Sequence, residues 1–317
     1  MTSMEIRTLD GDDQATVRAL FPGFAETMRV ALPDDPPASE DLMARLLQKR
    51  RGTDRVVLAV YDGAEPAGYV KLGLDLSATL DTGHGSLWVF PGFRRRGAGR
   101  LLVDAAREEL AARGRTRLLV DAPHTAEADA FAESAGGKRI VVNVRNRLKL
   151  KGAAIAAEAV AGYRFVRWND GCPDDLVDSY AKAWSELDVP INGQARVGQA
   201  TAADVREREA EAERARHRCY VTAAVDEATG EIAGYCTMFV RDSPMADAGE
   251  VLVLPAHRRK GLAAQLKAEL LSWVAGTEPQ VLLVQAWNDE TNSAVLALNR
   301  KLGFSSTGGW ATYEVSA

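Results

Sequence analysis

Two stretches of the chain gather arginines and glycines in a pattern that can hold an anion. The first reads Trp88-Val-Phe-Pro-Gly-Phe-Arg-Arg-Arg-Gly-Ala-Gly99 and the second Leu252-Val-Leu-Pro-Ala-His-Arg-Arg-Lys-Gly-Leu-Ala263. Each leads from an apolar run through a proline and a basic cluster into small residues. Downstream, apolar side chains return at helical intervals: Leu101, Leu102, Ala105, Ala106 and Leu110 after the first, Leu262, Leu266, Leu270 and Trp273 after the second. A strand, a tight turn and a helix are therefore expected twice. Glycine at such a turn lets backbone N–H groups converge without side-chain obstruction, and the amides that open a helix carry partial positive charge. Arg94, Arg95, Arg96 and Arg100 reinforce the first turn; Arg258, Arg259 and Lys260 reinforce the second. A pyrophosphate suits this chemistry. Neither turn is a dinucleotide fingerprint, because Leu102 and Leu266 stand where its third glycine would be, and neither carries the Gly-Lys-Ser/Thr of a P-loop.

The elements that must present these turns form a repeat. Gly97 and Gly261 lie 164 residues apart, and Ala67-Gly68-Tyr69-Val70 recurs as Ala233-Gly234-Tyr235-Cys236 at an offset of 166. Ala135-Gly136-Gly137 recurs loosely as Leu302-Gly303-Phe304, offset 167. Three blocks in one order at nearly one spacing mean two copies of one domain. Each copy opens with a strand (Met4–Leu9, Arg164–Trp168) and helical segments (Ser39–Lys49, Pro173–Ser185). Strands follow at Arg55–Tyr61 and Pro66–Leu72, and at Tyr220–Asp226 and Glu231–Phe239. The short apolar runs Arg117–Val120 and Val281–Val284 read as buried strands, and a last helix and strand close each copy. The fold class is α/β (α+β), with domains expected at 1–152 and 160–317. Lys151–Gly162 joins them as a short helix or a linker. The charged run between Thr201 and Arg218 alternates in sign and reads as a solvated helix.

The turns resemble the signature of the GNAT superfamily of acyl-CoA N-acyltransferases, here Arg94-x-x-Gly97-x-Gly99 and Arg258-x-x-Gly261-x-Ala263 after a Val-x-Pro strand end. The resemblance covers nearly the whole chain as a tandem pair, like the two-domain actinobacterial acetyltransferases that include mycothiol synthase. It implies two GNAT domains, each a mixed β-sheet splayed at the motif strand and flanked by helices. It implies acetyl-CoA or another acyl-CoA as cofactor, with the pantetheine arm along Leu87, Trp88 and Val89 and along Val251, Leu252 and Val253. The pyrophosphate would rest on Arg95, Arg96, Gly97, Ala98, Gly99 and Arg100, and on Arg259, Lys260, Gly261, Leu262, Ala263 and Ala264.

Acyl transfer from a thioester to an amine needs a base for the amine proton, a polarised carbonyl and a proton for the departing thiolate. Related enzymes often carry the base six or four residues before the strand valine. Six before Val253 is Asp247, which strict alternation sets on the valine's face, and it is the first candidate. Glu250, on the opposite parity, is the second. In the first copy those positions are Gly83 and Gly85; His84 between them reads as an ordinary loop histidine, and Asp121 is another candidate acid. The superfamily commonly places Asn in the last helix to contact the cofactor and Tyr seven residues on to protonate the thiolate. The second copy has Asn292 and Asn299 there, so Asn299 could only hydrogen-bond the sulfur, and Asn292 equally suits a helix cap. The first copy has Thr125 and Ala132. These differences divide the labour: a cofactor-binding or structural first copy and a catalytic second copy.

Composition excludes other classes. Lys+Arg number 39 against Asp+Glu 44, a formal charge of −5, so the phosphate-neutralising surplus of a general nucleic-acid binder is missing. No apolar run is long enough to span a membrane, and the first residues lack an export signal, which points to the cytoplasm. Cys172, Cys219 and Cys236 have neither disulfide-framework nor zinc-site spacing, and no metal is expected. The reading is an acetyl-CoA-dependent N-acetyltransferase acting on a small amine, working as a monomer with an internal pseudo-dimer. A degenerate acyl-CoA sensor without turnover is the alternative. The acceptor pocket is expected in the loops Phe21–Asp41 and Leu187–Gln199.

Overall fold

The computed structural model describes residues 4–49, 52–76, 79–153, 155–169, 171–187, 199–214 and 216–316. The first half of the chain runs β1 (Met4–Leu9), α1 (Gln14–Ala31), α2 (Glu40–Leu47), β2 (Thr53–Asp62), β3 (Glu65–Asp75), β4 (Thr82–Val89), α3 (Ala98–Ala111), β5 (Arg117–Pro123), α4 (Ala126–Ser134) and β6 (Lys138–Lys149). The second half repeats the order as β7 (Tyr163–Trp168), α5 (Val177–Ser185), α6 (Ala202–Arg214), β8 (Arg218–Asp226), β9 (Ile232–Val240), β10 (Met245–Val253), α7 (Leu262–Thr277), β11 (Leu283–Asp289), α8 (Ser293–Lys301) and β12 (Ser305–Ser316). A single 3-10 turn precedes α3 at Pro91–Phe93 and α7 at Pro255–His257. The chain is a mixed α/β protein built from two such units.

Compactness does not follow the sequence repeat. One unit comprises Met1–Asn143 with Gly309–Ala317, the other Val144–Gly308. The closing strands are exchanged. In the first unit the strands lie in the order β1-β2-β3-β4-β5-β12, in the second β7-β8-β9-β10-β11-β6. The expected boundary at 152–160 therefore differs from the division the contacts give. The cause is that β5 finds its antiparallel partner in β12, from Trp310 opposite Pro123 to Ser316 opposite Arg117. The described residues of 151–162 form no helix.

Within the first unit, one sheet face packs Val56, Leu58, Val70 and Leu72 against Leu102, Ala106 and Leu110 of α3. The other packs Val57, Ala59 and Tyr69 against Val17, Leu20 and Phe24 of α1 and Met43 and Leu47 of α2. The 18-residue α1 takes in Phe21–Ala31, so that stretch is not the loop expected from sequence. Asp13 caps this helix through the Ala15 N–H, and Gly23 is required within it, because a Cβ there would lie 2.2 Å from the Phe90 ring. The second unit repeats both layers. Leu262, Leu266 and Leu270 of α7 lie on one face with Met238 and Val240, while Tyr180 and Ala181 of α5 and Val205 of α6 lie on the other with Tyr235 and Leu252. Trp273 is half-buried and packs edge-on against Tyr220.

Candidate active site

Each motif strand ends in the same backbone turn. Arg95 and Arg259 adopt left-handed φ values of 61° and 64°, followed by Gly97 and Gly261 at 93° and 91°. A non-glycine residue held there twice, at equivalent positions, is a shaped loop rather than a random bend. No side chain caps α3 or α7, so their first amides remain directed at the turn. Arg94 and Arg258 turn back: each Nε donates to the carbonyl of Val89 or Val253, at 3.3 and 2.9 Å, and ties the turn to the strand end. Arg96 pairs with Asp62 at 2.6 Å, and Lys260 donates to the Tyr163 hydroxyl at 3.0 Å. Arg100 donates to the Ser134 carbonyl at the end of α4. The basic clusters are thus partly structural, and the uncapped first amides of α3 and α7 remain at each turn.

Beside each turn the sheet opens. β4 pairs with β5 in parallel from Thr82–Arg117 to Ser86–Asp121, and that ladder stops before Leu87, Trp88 and Val89. β10 pairs with β11 from Met245–Leu283 to Asp247–Gln285, leaving 248–253 outside the ladder. The stretches named from sequence for a pantetheine arm, Leu87–Val89 and Val251–Val253, border these openings. Their backbone groups on that side are available to a bound chain. The two turns differ in what lies over them. A Cβ at Gly97 would meet nothing within 4 Å, whereas at Gly261 it would touch Val160 at 3.6 Å. Val160 in the joining segment donates its N–H to Gln265 at 2.7 Å.

A bulge in β10 overturns the alternation expected for Asp247. Ala248 stands opposite Met238 and Val251 opposite Cys236, so three steps along β10 match two along β9. The extra residue reverses the faces. Asp247 lies opposite Phe239, away from Ala248, Val251 and Val253, which join the α7-side core. Its carboxylate is also occupied: Arg241 pairs with one oxygen, and the Gln285 amide donates to the other. Arg145 in turn donates twice to the Gln285 carbonyl, at 3.0 and 2.7 Å. Both Asp247 oxygens thus have partners within the second unit.

Glu250 keeps the face that alternation from Val253 gives it, that of Leu252, toward α5 and α6. The Glu250 N–H donates to Thr237 Oγ1 at 2.9 Å, whose hydroxyl donates back to Oε2 at 3.3 Å. Arg208 Nη2 donates to both carboxylate oxygens at 2.7 and 2.9 Å. The Arg208 guanidinium carbon sits 4.9 Å from the Trp184 ring centroid and 5.9 Å from that of Phe239. Burial pushes the neighbouring Cys219 thiol up to about 11, so it is no nucleophile at neutral pH. The charged run is helical as expected, but Arg208 is its inward exception.

In the first unit the ladder of β3 and β4 runs unbroken from Gly68–Val89 to Gly73–His84. Without any bulge His84 is a half-buried strand residue rather than a loop histidine. Its Nε2 is buried and unpartnered. Burial lowers its pKa, opposed by the charges of Asp121 and Asp75. Asp121 is raised by burial despite accepting from Thr312 Oγ1 at 2.6 Å. His84 falls between the two positions, Gly83 and Gly85, where the base is sought from sequence, and Asp121 is the candidate acid named there. Those two glycines are small because Leu110 and Leu72 pack where their side chains would be.

Among comparisons with known proteins, the model of the acetyltransferase (GNAT) family matches residues 22–136 and 176–304, more than half of the chain. The chain belongs to the GNAT family. It is 29% identical over 265 residues to a mycothiol acetyltransferase of Thermomonospora curvata, covering 82% of each. A tandem GNAT protein from the clavulanic acid biosynthesis pathway superimposes with a TM-score of 0.81 at 28% identity, over 99% of this chain and 98% of that one. A GCN5-related N-acetyltransferase from Sphaerobacter thermophilus shares the fold, with a TM-score of 0.73 at 16% identity over 99% and 95% of the chains.

The protein is thus a tandem GNAT acyl-CoA N-acyltransferase. Left-handed turns, uncapped helix starts and opened strands fit the pyrophosphate and pantetheine of an acyl-CoA. In the second unit Asn292 accepts the Val295 N–H at 3.2 Å as the cap of α8, the plainer of its two expected roles. Asn299 is fully buried. It accepts from the Lys267 ammonium and donates to Asn288 at 2.7 Å, so its amide is already engaged. Burial lowers the Lys267 pKa, and the ammonium sits 4.6 Å over the Phe304 ring. Nothing in the sequence pattern marked Lys267, which falls among the buried residues of an apolar helix. Of the expected acceptor loop Leu187–Gln199, residues 188–198 lie outside the described residues. No helix among those described is long and apolar enough to cross a membrane, and no cluster there could hold a metal ion.

Proposed function

We propose that the protein transfers an acetyl group from acetyl-CoA to the amine of a small molecule, in the second unit, with Glu250 as the base. The observation that carries this reading is the seat of Glu250 on the Leu252 face of β10, toward α5 and α6 and beside the opening in the sheet, with Thr237 and Arg208 on its carboxylate. When bound, the thioester would supply an activated acyl group, its carbon–sulfur bond breaking as the carbon–nitrogen bond forms and the thiolate taking its proton from water. Glu250 draws in the acceptor's ammonium and takes its proton. A backbone N–H of 248–253 on the side away from β9 polarises the acyl carbonyl without having to reorganise; that of Glu250 is held by Thr237. Thr237 fixes the carboxylate's direction. Kinship with a mycothiol acetyltransferase supports a small-molecule acceptor. The first unit then serves mainly to bind the cofactor, with Arg95–Arg100 around its pyrophosphate.

Glu250→Gln tests the assignment. A general base is worth about 100-fold or more in rate. The variant should therefore release thiol from acetyl-CoA about 100-fold more slowly, with cofactor affinity by calorimetry unchanged. The free Nε2 of His84 favours one second reading, in which the first unit performs its own transfer. Wild-type turnover in Glu250→Gln together with its loss in His84→Gln would put that reading in place of the first.

A further inference from the structure

Resting on Glu250 as the base, the geometry points to an acceptor that carries a carboxylate beside its amine, with Arg208 and Tyr235 as the groups that receive it. Among the described residues, two donors near Glu250 have no acceptor. Arg208 gives only Nη2 to Glu250, and its Nη1 is buried without a partner. The Tyr235 hydroxyl is likewise unpartnered in a residue with 0% exposure. They belong to one cluster. The Tyr180 and Tyr235 rings pack at 4.9 Å, and the charges of both Arg208 and Glu250 act on both phenols. A buried donor left unmade costs about 1–3 kcal/mol, so two in one cluster mark a place for an acceptor oxygen.

Charge balance specifies which oxygen. In the free protein, Glu250 neutralises Arg208. Once Glu250 has taken the amine's proton, the guanidinium between Trp184 and Phe239 has lost its counter-ion. An unpaired charge in such a site is strongly unfavourable. A carboxylate on the acceptor restores neutrality through Arg208 Nη1, and the Tyr235 hydroxyl supplies a second donor. A hydroxyl or ether on the acceptor would satisfy the donors but leave the charge exposed. The acceptor class is therefore a zwitterionic amino acid, recognised by its amine at Glu250 and its carboxylate at Arg208 and Tyr235.

A paired panel tests this: thiol release from acetyl-CoA with amino acids and with the amines left when each loses its carboxylate, such as alanine with ethylamine and ornithine with putrescine. The expected result is a kcat/KM about 10-fold or more higher for the carboxylate-bearing member, the discrimination of one charged hydrogen bond. That ratio should collapse toward one in Arg208→Gln and in Tyr235→Phe, which loses one oxygen and keeps the ring packing. Equal or better use of the decarboxylated amines by the wild type would overturn the carboxylate site and leave the transferase standing. So would a ratio unmoved in both variants. Absence of thiol release with every amine would overturn the transferase reading and this inference with it.

Discussion

His84 and Glu250 show how one residue's neighbours set its chemistry. Glu250, the proposed base, accepts from Arg208 and Thr237, and Asp247, three residues earlier, accepts from Arg241 and Gln285. Exchange of the carboxylates for amides should therefore separate them. Glu250→Gln acts on rate, and Asp247→Asn breaks an ion pair and acts on stability. The burial of His84 carries its own consequence. Its folded pKa lies below the 6.5 of a free histidine, chiefly through desolvation, so between those values the unfolded chain binds the extra proton. Stability contributed by the neutral ring is present above pH 6.5 and is lost as pH falls through the folded value. Asp121, raised by burial, acts in the opposite sense at more acid pH. Urea midpoints for the wild type and His84→Gln should converge as pH is lowered from 7.5 to 5.5. Parallel curves would show that the ring takes up its proton as readily folded as unfolded.

At the scale of elements, the bulge sets Asp247 and Glu250 on one face of β10, and Gly249 makes it tight. A Cβ at Gly249 would lie 2.2 Å from Thr237 Oγ1 and 3.0 Å from the Phe239 ring, so Gly249→Ala must push β10 away from β9. Overpacking of this kind costs about 1–3 kcal/mol. It should also draw Glu250 off Thr237, lowering kcat about 10-fold or more while acetyl-CoA affinity stays unchanged. A variant with wild-type kcat would separate the bulge from catalysis. The same bulge explains what the amino-acid pattern could and could not reveal. Strand, turn and helix at residues 88–110 and 252–273 were legible because alternating and helical apolar spacing, proline and glycine all agree. Alternation, however, assumes an unbroken ladder. One inserted residue moved Asp247 to the other face, whereas the unbroken ladder of β4 keeps His84 on the parity that alternation gives it. Arg208 and Lys267 were hidden for a different reason. Each sits in a helix whose other residues predict its surroundings well, and only tertiary contact turns one charge inward.

At the scale of the molecule, the exchanged strands decide how the chain can be divided. Residues 309–317 belong with the first unit. Opposite β5 they bury Ala311, Tyr313 and Val315. Tyr313 donates to Asp129 at 2.7 Å, Arg117 pairs with Glu314 at 2.6 Å, and Arg107 reaches the Ser316 carbonyl at 2.8 Å. Burial of a large side chain contributes about 1.5–3 kcal/mol. Tyr313 and Val315 alone then account for several kcal/mol of a stability that for ordinary domains totals about 5–15 kcal/mol. A fragment covering the first sequence repeat, 1–152, would leave the outer edge of β5 unpaired and Asp129 without its tyrosine. It should give no cooperative melt and should aggregate along that open edge. Joined through a flexible linker to 305–317, the same fragment should recover a cooperative melt, and acetyl-CoA should raise its Tm because the turn at Arg95–Arg100 is contained within it. A cooperative melt of 1–152 at the same temperature with and without the added strand would show that the first repeat folds by itself, and that the exchange contributes nothing to its stability.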